Sequence, residues 1–80
     1  MNKETALSSL QPGQGGRVRS LRIAGPMRLR LRELGLVEGA ELRCLGRSPL
    51  GDPAAYSLCG AVLALRDRDA GRILIERTEG

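Results

Sequence analysis

The fold of this chain depends on residues 26–35, which read PMRLRLRELG. Two periods compete in this stretch. Its first leucines alternate with arginines, as in a strand, whereas Met27, Leu31 and Leu34 have the spacing of one helix face. The proline that opens the stretch suits a first helical position, and the glycine that closes it suits the left-handed residue after a helix end. With the helix-favouring Arg, Leu, Met and Glu content, these ends predict a helix of about two turns.

Short strand-like segments flank this helix. Residues 17–23 alternate charged and apolar side chains, and the spacing from Val18 to Leu21 indicates a bulge. Residues 41–47 predict a second strand with Leu42 and Cys44 facing inward. A loop with two prolines follows at residues 48–53.

The remaining chain predicts a hairpin, one helical turn and a last strand. Residues 55–65 are the longest apolar stretch, and a hairpin turn is expected at Gly60-Ala61. Asp67 is placed to cap a single helical turn, and Ile73 and Ile75 belong to the final strand. The predicted fold is mainly β: a small closed barrel of about five strands, one short α-helix, and a one-turn helix before the last strand.

Composition supports one small domain with an aliphatic core. The chain has 80 residues, 41% of them apolar, with no Phe, no Trp and Tyr56 as its single aromatic residue. Eleven glycines and four prolines imply many tight turns. Residues 1–9 are expected to be a flexible tail, and residues 10–80 the folded domain.

The expected location is the cytoplasm. No run of about 18 apolar residues is present that could insert into a membrane, and residues 1–10 lack the apolar region of a secretory signal. Cys44 and Cys59 are therefore expected to be free thiols in a reducing compartment. Cys44 is expected in the core and Cys59 on the outside.

The residues of ordinary active sites are missing, so an enzyme is not expected. The chain has no histidine, which removes the usual general base and the commonest metal ligand. Its two cysteines stand 15 residues apart, without the spacing of a metal motif. No catalytic residue, metal site or cofactor is predicted; Cys59 is a weak metal candidate, and only through a metal shared between chains.

The net charge is compatible with a macromolecular partner and equally with simple solubility. Thirteen basic residues face nine acidic ones, for a net charge of +4, and three arginines cluster at Arg28, Arg30 and Arg32. A solvated helix face and a docking patch for an acidic protein both explain this cluster. RNA binding is disfavoured because only Tyr56 could stack on a base. An arginine supplied in trans to a GTPase is a further alternative, and homo-oligomerisation through an exposed strand edge stays open.

An ordered set of motifs resembles the FeoA family, ferrous iron transport protein A. The motifs are Gly13-x-x-Gly16-Arg17-Val18-x-x-Leu21, Arg30-Leu31-x-x-Leu34-Gly35-Leu36-x-x-Gly39, Leu50-Gly51-Asp52-Pro53, Gly60-x-x-Leu63-Ala64-Leu65-Arg66 and Asp69-Ala70-x-x-Ile73-x-Ile75. Each motif alone is weak, and together they cover about residues 10–76.

The resemblance implies an SH3-like barrel with an accessory or regulatory role in bacterial ferrous iron uptake. The implied partner is the FeoB membrane transporter, which carries a cytosolic GTP-binding domain; iron is associated only with the pathway. Candidate partner-binding residues are Arg28, Arg30, Arg32 and Asp52, the last in the rigid loop 51–53. The implied core comprises Leu31, Leu34, Leu63, Leu65, Ile73 and Ile75. Cys59 departs from the family pattern by occupying a strand position where a polar residue would be expected.

Overall fold

The computed structural model describes residues 3–78. In chain order the elements are β1 (Glu4–Ala6), a 3-10 turn (Leu7–Ser9), β2 (Gly15–Leu21), α1 (Pro26–Glu33), β3 (Glu41–Arg47), β4 (Ala54–Leu58), β5 (Ala61–Leu65), α2 (Asp67–Ala70) and β6 (Ile73–Thr78). The described helices include none that is long and apolar enough to cross a membrane.

The six strands form one antiparallel sheet in the order β1-β6-β2-β3-β4-β5. This confirms the predicted mainly-β class with two helical segments. The sheet has one strand more than expected, and β1 and β5 lie at its two ends without pairing to each other, so hydrogen bonds do not close it into the expected cylinder.

The extra strand lies in the predicted tail. Glu4–Ala6 pairs with β6, with Thr5 opposite Ile75, and Leu7 and Leu10 are fully buried. Residues 4–9 are therefore part of the folded domain, which corrects the expected flexible tail. The physical reason is the burial of these leucines, which offsets the conformational entropy that the segment loses. Residues 1 and 2 of the predicted tail lie outside the described residues.

The predicted bulge is present in β2. Its pairing with β6 shifts register between Val18 and Ser20, so two residues of β2 oppose one of β6. The bulge places Val18 in the core while the exposed Arg17 and Arg19 face outward. Because the bulge adds one residue, the residues of β2 after it direct their backbone N–H and C=O groups to the opposite side from the one that an uninterrupted alternation would give.

The stretch in which a strand period and a helix period compete forms the helix α1, as predicted. Pro26 stands in its first turn, where the missing N–H costs nothing, and Gly35 ends it with a φ of +100°. The expected apolar face is only partly buried. Leu31 is inside, whereas Met27 and Leu34 are exposed.

The β4–β5 hairpin and the second helix each differ from the sequence prediction in one detail. The turn between β4 and β5 is Cys59-Gly60 rather than Gly60-Ala61, and both of its residues have positive φ. Asp67 is the first residue of α2 and makes no side-chain cap. Its backbone N–H instead donates to Asp52 Oδ1 at 2.9 Å, so the oxygen that caps α2 comes from the loop between β3 and β4.

The core is aliphatic, as composition predicts, with Tyr56 as its one aromatic member. Leu42 and Cys44 face inward from β3, as expected. Of the six core residues implied by the family resemblance, Leu34 is exposed and Leu63 only half-buried. The buried residues are Leu7, Leu10, Val18, Ile23, Leu31, Leu36, Leu42, Cys44, Ala54, Tyr56, Leu58, Leu65, Ala70, Ile73 and Ile75.

Candidate partner-binding surface

Arg28 and Arg32 lie one turn apart on α1 and line the same groove. The groove has a volume of about 410 Å³ and is partly open to solvent. Its walls come from β2, α1 and the connection between α1 and β3: Ser20, Leu21, Arg28, Arg32, Leu36, Val37 and Glu38. Two guanidinium groups therefore face one carboxylate, on walls that are partly apolar.

The Arg28 side chain turns back onto the end of β2. Its Nη1 donates to the carbonyl oxygen of Leu21 at 2.7 Å and to that of Ile23 at 3.3 Å. These contacts hold the guanidinium at the groove wall. They also engage the carbonyl oxygens of the last residue of β2 and of a residue just beyond it, at a point where no described strand pairs with that side of β2.

Arg32 and Arg30 remain exposed, and within residues 3–78 neither forms an ion pair. Arg30 does not line the groove, and within residues 3–78 it forms no ion pair with Glu33. The three arginines of the predicted cluster therefore divide between two faces of α1. Arg28 and Arg32 belong to the groove, and Arg30 faces solvent beside it.

Exposed apolar side chains accompany these arginines. Leu29 is 58% exposed and Leu34 47%, and Val37 is exposed at the groove itself. Sequence reasoning placed Leu34 in the core and gave Leu29 no role. A surface that mixes unpaired arginines with exposed leucine and valine has the composition of a protein contact.

Asp52 is not part of this groove. It lies in the loop between β3 and β4, follows Gly51 with its φ of +90°, and precedes Pro53 through a cis peptide bond. Its carboxylate accepts the N–H of Asp67. The structure thus gives Asp52 a local role at the start of α2 and does not bring it together with the α1 arginines.

Arg47 organises the same region, a role that the sequence pattern did not reveal. Its guanidinium donates to Asp67 Oδ1 at 3.1 Å, to the carbonyl oxygen of Gly51 at 3.3 Å, and to those of Ser8 and Leu10. The hydrogen bond to Asp67 raises the pKa of Arg47. One side chain thereby joins the N-terminal segment, the loop and α2.

Tyr56 is fully buried, so it offers no stacking surface to a base. Its hydroxyl has no hydrogen-bond partner among the described residues, and burial raises its pKa to about 12. The one aromatic ring that could have served RNA binding is therefore a core residue.

The two cysteines are free thiols, Cys44 buried and Cys59 exposed, as predicted. Cys59 stands in the β4–β5 turn with a φ of 51°, which corrects its expected strand position. A Cβ atom placed on Gly35 would lie 3.5 Å from Cys59 Sγ, so this turn sits beside the end of α1. Within residues 3–78 no group of three or more Cys, Asp or Glu is arranged to hold a metal ion.

Sequence reasoning missed the groove residues outside α1. Leu36 and Glu38 lie in a segment that sequence analysis did not assign to any site, and Ser20 was an unremarked strand residue. The glycines Gly35 and Gly39, which bracket this connection, are the only local signal that the chain turns tightly there. Its position beside β2 depends on the hydrogen bonds of Val18 with Gly39 and Ala40.

The family model for the FeoA domain matches residues 5–77. A search of curated proteins finds no significant match. Among solved structures, the FeoA protein of Chlorobium tepidum is 37% identical with a TM-score of 0.90, over 95% of this chain and 72% of that one. A FeoA-like protein of Clostridium acetobutylicum is 30% identical with a TM-score of 0.86, over 100% and 93% of the two chains.

A third structure connects the fold with the SH3 class. The FeoA of Stenotrophomonas maltophilia is 31% identical, with a TM-score of 0.77 over 89% of this chain and 88% of that one. That protein was crystallised with zinc and is described as a prokaryotic SH3 domain protein proposed to activate bacterial ferrous iron transport. The architecture described above is accordingly SH3-like.

Proposed function

This chain belongs to the FeoA domain family, and from that premise we propose that it is a cytosolic accessory protein of bacterial ferrous iron uptake. In this proposal it acts by protein–protein contact with a FeoB-type membrane transporter and has no catalytic activity of its own. The observation that carries the proposal is the family match over residues 5–77.

The contact surface that we propose is the α1 face with its groove. Arg28 and Arg32 line the groove, and Arg30 extends the positive charge onto the neighbouring face. Exposed Leu29, Leu34 and Val37 supply apolar area beside these charges. Such a surface suits an acidic region of a protein partner, because charge steers the approach and apolar contacts hold the complex.

A titration with the cytosolic portion of the transporter tests this contact. Reversing two charges in the double variant Arg28→Glu and Arg32→Glu is expected to weaken binding by about tenfold or more. The matched control is Arg66→Glu with Arg68→Glu, which makes the same charge change on exposed residues at α2. Equal loss in both double variants would mean that only net charge matters, and no binding by the unaltered protein would reject the proposal.

Single variants decide how far the surface extends. Arg30→Glu tests the face beside the groove. Asp52→Asn tests the loop contact, and the amide oxygen of the new side chain can still accept the N–H of Asp67. Full binding by Asp52→Asn would remove Asp52 from the proposed contact residues.

The same titration, followed by GTP hydrolysis, separates contact from stimulation. A contact that leaves turnover unchanged in all single arginine variants is expected for an accessory protein. Loss of a stimulated rate in one single Arg→Ala variant, with binding preserved, would instead assign that arginine a role in trans.

A further inference from the structure

The second half of β2 has a free edge. β2 pairs with β6 along Gly15–Leu21 but with β3 only over Gly15–Arg17. Val18 still exchanges hydrogen bonds with Gly39 and Ala40, each at 2.8 Å. Beyond Val18 the chain on that side turns away toward α1, and no described strand pairs with the rest of β2 there.

Backbone carbonyls on this edge point into the open side. The Arg22 N–H donates to the Arg72 carbonyl on the β6 side at 2.7 Å. Because neighbouring residues of an extended chain direct their backbone groups to opposite sides, Leu21 directs its carbonyl away from β6. The Leu21 and Ile23 carbonyls both accept from the Arg28 guanidinium. Both oxygens are within hydrogen-bond reach of the single Arg28 Nη1, so they lie closer together than the roughly 6.6 Å between alternate residues of a strand, and Ile23 lies beyond the end of β2. The Leu21 carbonyl is therefore the strand acceptor that an added strand could use.

At the Leu21 carbonyl, Arg28 therefore occupies the position that a backbone N–H of another strand would take. Its hydrogen bond to Ile23 is long, at 3.3 Å, and the side chain belongs to an exposed residue, so solvent or a ligand can replace it. Withdrawal from the carbonyls would leave a free guanidinium at the groove wall, one helical turn from the unpaired Arg32.

The groove in front of this edge has the shape and chemistry for an extended peptide. It holds about 410 Å³, and Leu21, Leu36 and Val37 supply its apolar walls. Arg28 and Arg32 give it a positive charge that the single carboxylate of Glu38 does not balance. A strand in this position would present alternate side chains to the apolar wall and to the arginines.

We propose that the groove receives an extended acidic segment of a protein partner as an added strand. An N–H group of the segment replaces Arg28 at the Leu21 carbonyl, and a carboxylate of the segment binds the released Arg28 together with Arg32. Naming the transporter's cytosolic portion as the source of this segment rests on the function proposed above. The groove itself does not depend on that assignment.

A synthetic peptide tests the groove directly. The probe is an acetylated and amidated hexapeptide of alternating valine and glutamate, titrated into the isotopically labelled full-length protein. We expect backbone amide shifts at Leu21, Arg22, Ile23 and Val37 with a Kd of roughly millimolar or below. Arg32→Glu is expected to weaken binding about tenfold, and Arg68→Glu on α2 is the matched control that should not.

Methylated peptides distinguish a strand from a simple charge contact. Methyl groups on one alternate set of peptide nitrogens should abolish binding, whereas methyl groups on the other set should leave it nearly unchanged, because only one set faces β2. Equal binding by both methylated peptides, or equal binding by a peptide with lysine in place of glutamate, overturns the proposal. So does an absence of shifts at roughly millimolar peptide.

The transporter's cytosolic portion provides a separate arm. If adding the cytosolic portion shifts the backbone amides of Leu21–Ile23, and the peptide competes with this binding, the result supports both proposals. Binding that leaves these residues unshifted contradicts the strand proposal but supports the proposed function. Peptide binding without transporter binding supports the groove and rejects the transporter as the source of the segment.

Discussion

At residue 16 the backbone of β2 passes so close to β6 that a side chain has no room. A Cβ atom on Gly16 would lie 2.5 Å from Ile75 Cδ1 and 3.3 Å from the Glu76 carbonyl oxygen. Ile75 is fully buried, so its terminal methyl has little space into which to move. Gly16 is required by packing, and its φ is not among the positive ones.

Gly16→Ala is expected to destabilise the fold by about 1–3 kcal/mol, the usual cost of overpacking a core. Urea unfolding followed by circular dichroism measures this change. Gly46→Ala is the matched control, because Gly46 also lies in a strand and a Cβ there would meet nothing within 4 Å. Similar losses in the two variants would show that general strand effects, rather than contact with Ile75, determine the cost.

Tyr56 shows a different constraint at the same scale. Its ring fills the core, but its hydroxyl is buried without a partner among residues 3–78, and burial raises its pKa to about 12. The folded protein therefore holds the neutral phenol, whereas the unfolded chain ionises near pH 10. The contribution of the neutral Tyr56 phenol to the free energy of unfolding is fully present below about pH 10, and it is lost as the pH rises toward 12.

Tyr56→Phe should remove that loss. At neutral pH we expect a change within about 1 kcal/mol, because the variant keeps the ring and deletes an unpaired hydroxyl. Between pH 10 and 12 the unaltered protein should lose roughly 2–3 kcal/mol more than the variant. Unfolding free energies measured across this range decide the matter, and parallel pH profiles would show that Tyr56 does not control alkaline stability.

At the scale of elements, α1 is attached to the sheet chiefly through one of its own residues. Leu31 is 1% exposed, whereas the other α1 residues are exposed. Leu36, just beyond the helix, adds a second buried anchor, and its N–H bonds to the Leu31 carbonyl at 2.9 Å. This sparse attachment leaves the arginine-bearing face of the helix open to a partner.

Leu31→Ala is expected to cost about 2–5 kcal/mol, as large-to-small changes in cores do. Leu29→Ala, the same change two residues away on an exposed side chain, should lie within about 0.5 kcal/mol of the parent protein. Thermal unfolding of both variants gives the comparison. If Leu29→Ala were the more damaging change, the orientation of α1 described here would be wrong.

For the whole molecule, the N-terminal segment completes the core. Leu7 and Leu10 are fully buried, β1 extends the sheet beside β6, and the Ser8 and Leu10 carbonyls accept from Arg47. The segment thus pairs with residues that lie up to 72 positions away along the chain, such as Glu76 opposite Glu4.

A chain that begins at Gln11 should fail to fold. It lacks two buried leucines worth about 2–5 kcal/mol each, against a total stability of about 5–15 kcal/mol for a small domain. A control chain that begins at Glu4 keeps β1 and both leucines and should unfold cooperatively. Circular dichroism and amide dispersion measure both. A folded chain from Gln11 would restore the view of this segment as a tail.

The features that depend on local chemistry could be predicted from the sequence. The period, the opening proline and the closing glycine predicted α1, and the spacing of Val18 and Leu21 predicted the bulge. The ends of β3 follow from alternation alone. These features need only neighbouring residues, because helix ends, turns and pleats are formed by backbone groups close along the chain.

The contacts between residues that meet across the fold could not be predicted in this way and are visible only in three dimensions. The tertiary structure buried Leu31 and exposed Leu34, gave the cap of α2 to Asp52, and added Glu4–Ala6 to the sheet. The groove arose in the same way, where the segment after α1 passes the unpaired half of β2. Burial and strand pairing are set by contacts between residues distant in sequence, and a local pattern of apolar and charged side chains does not specify those partners.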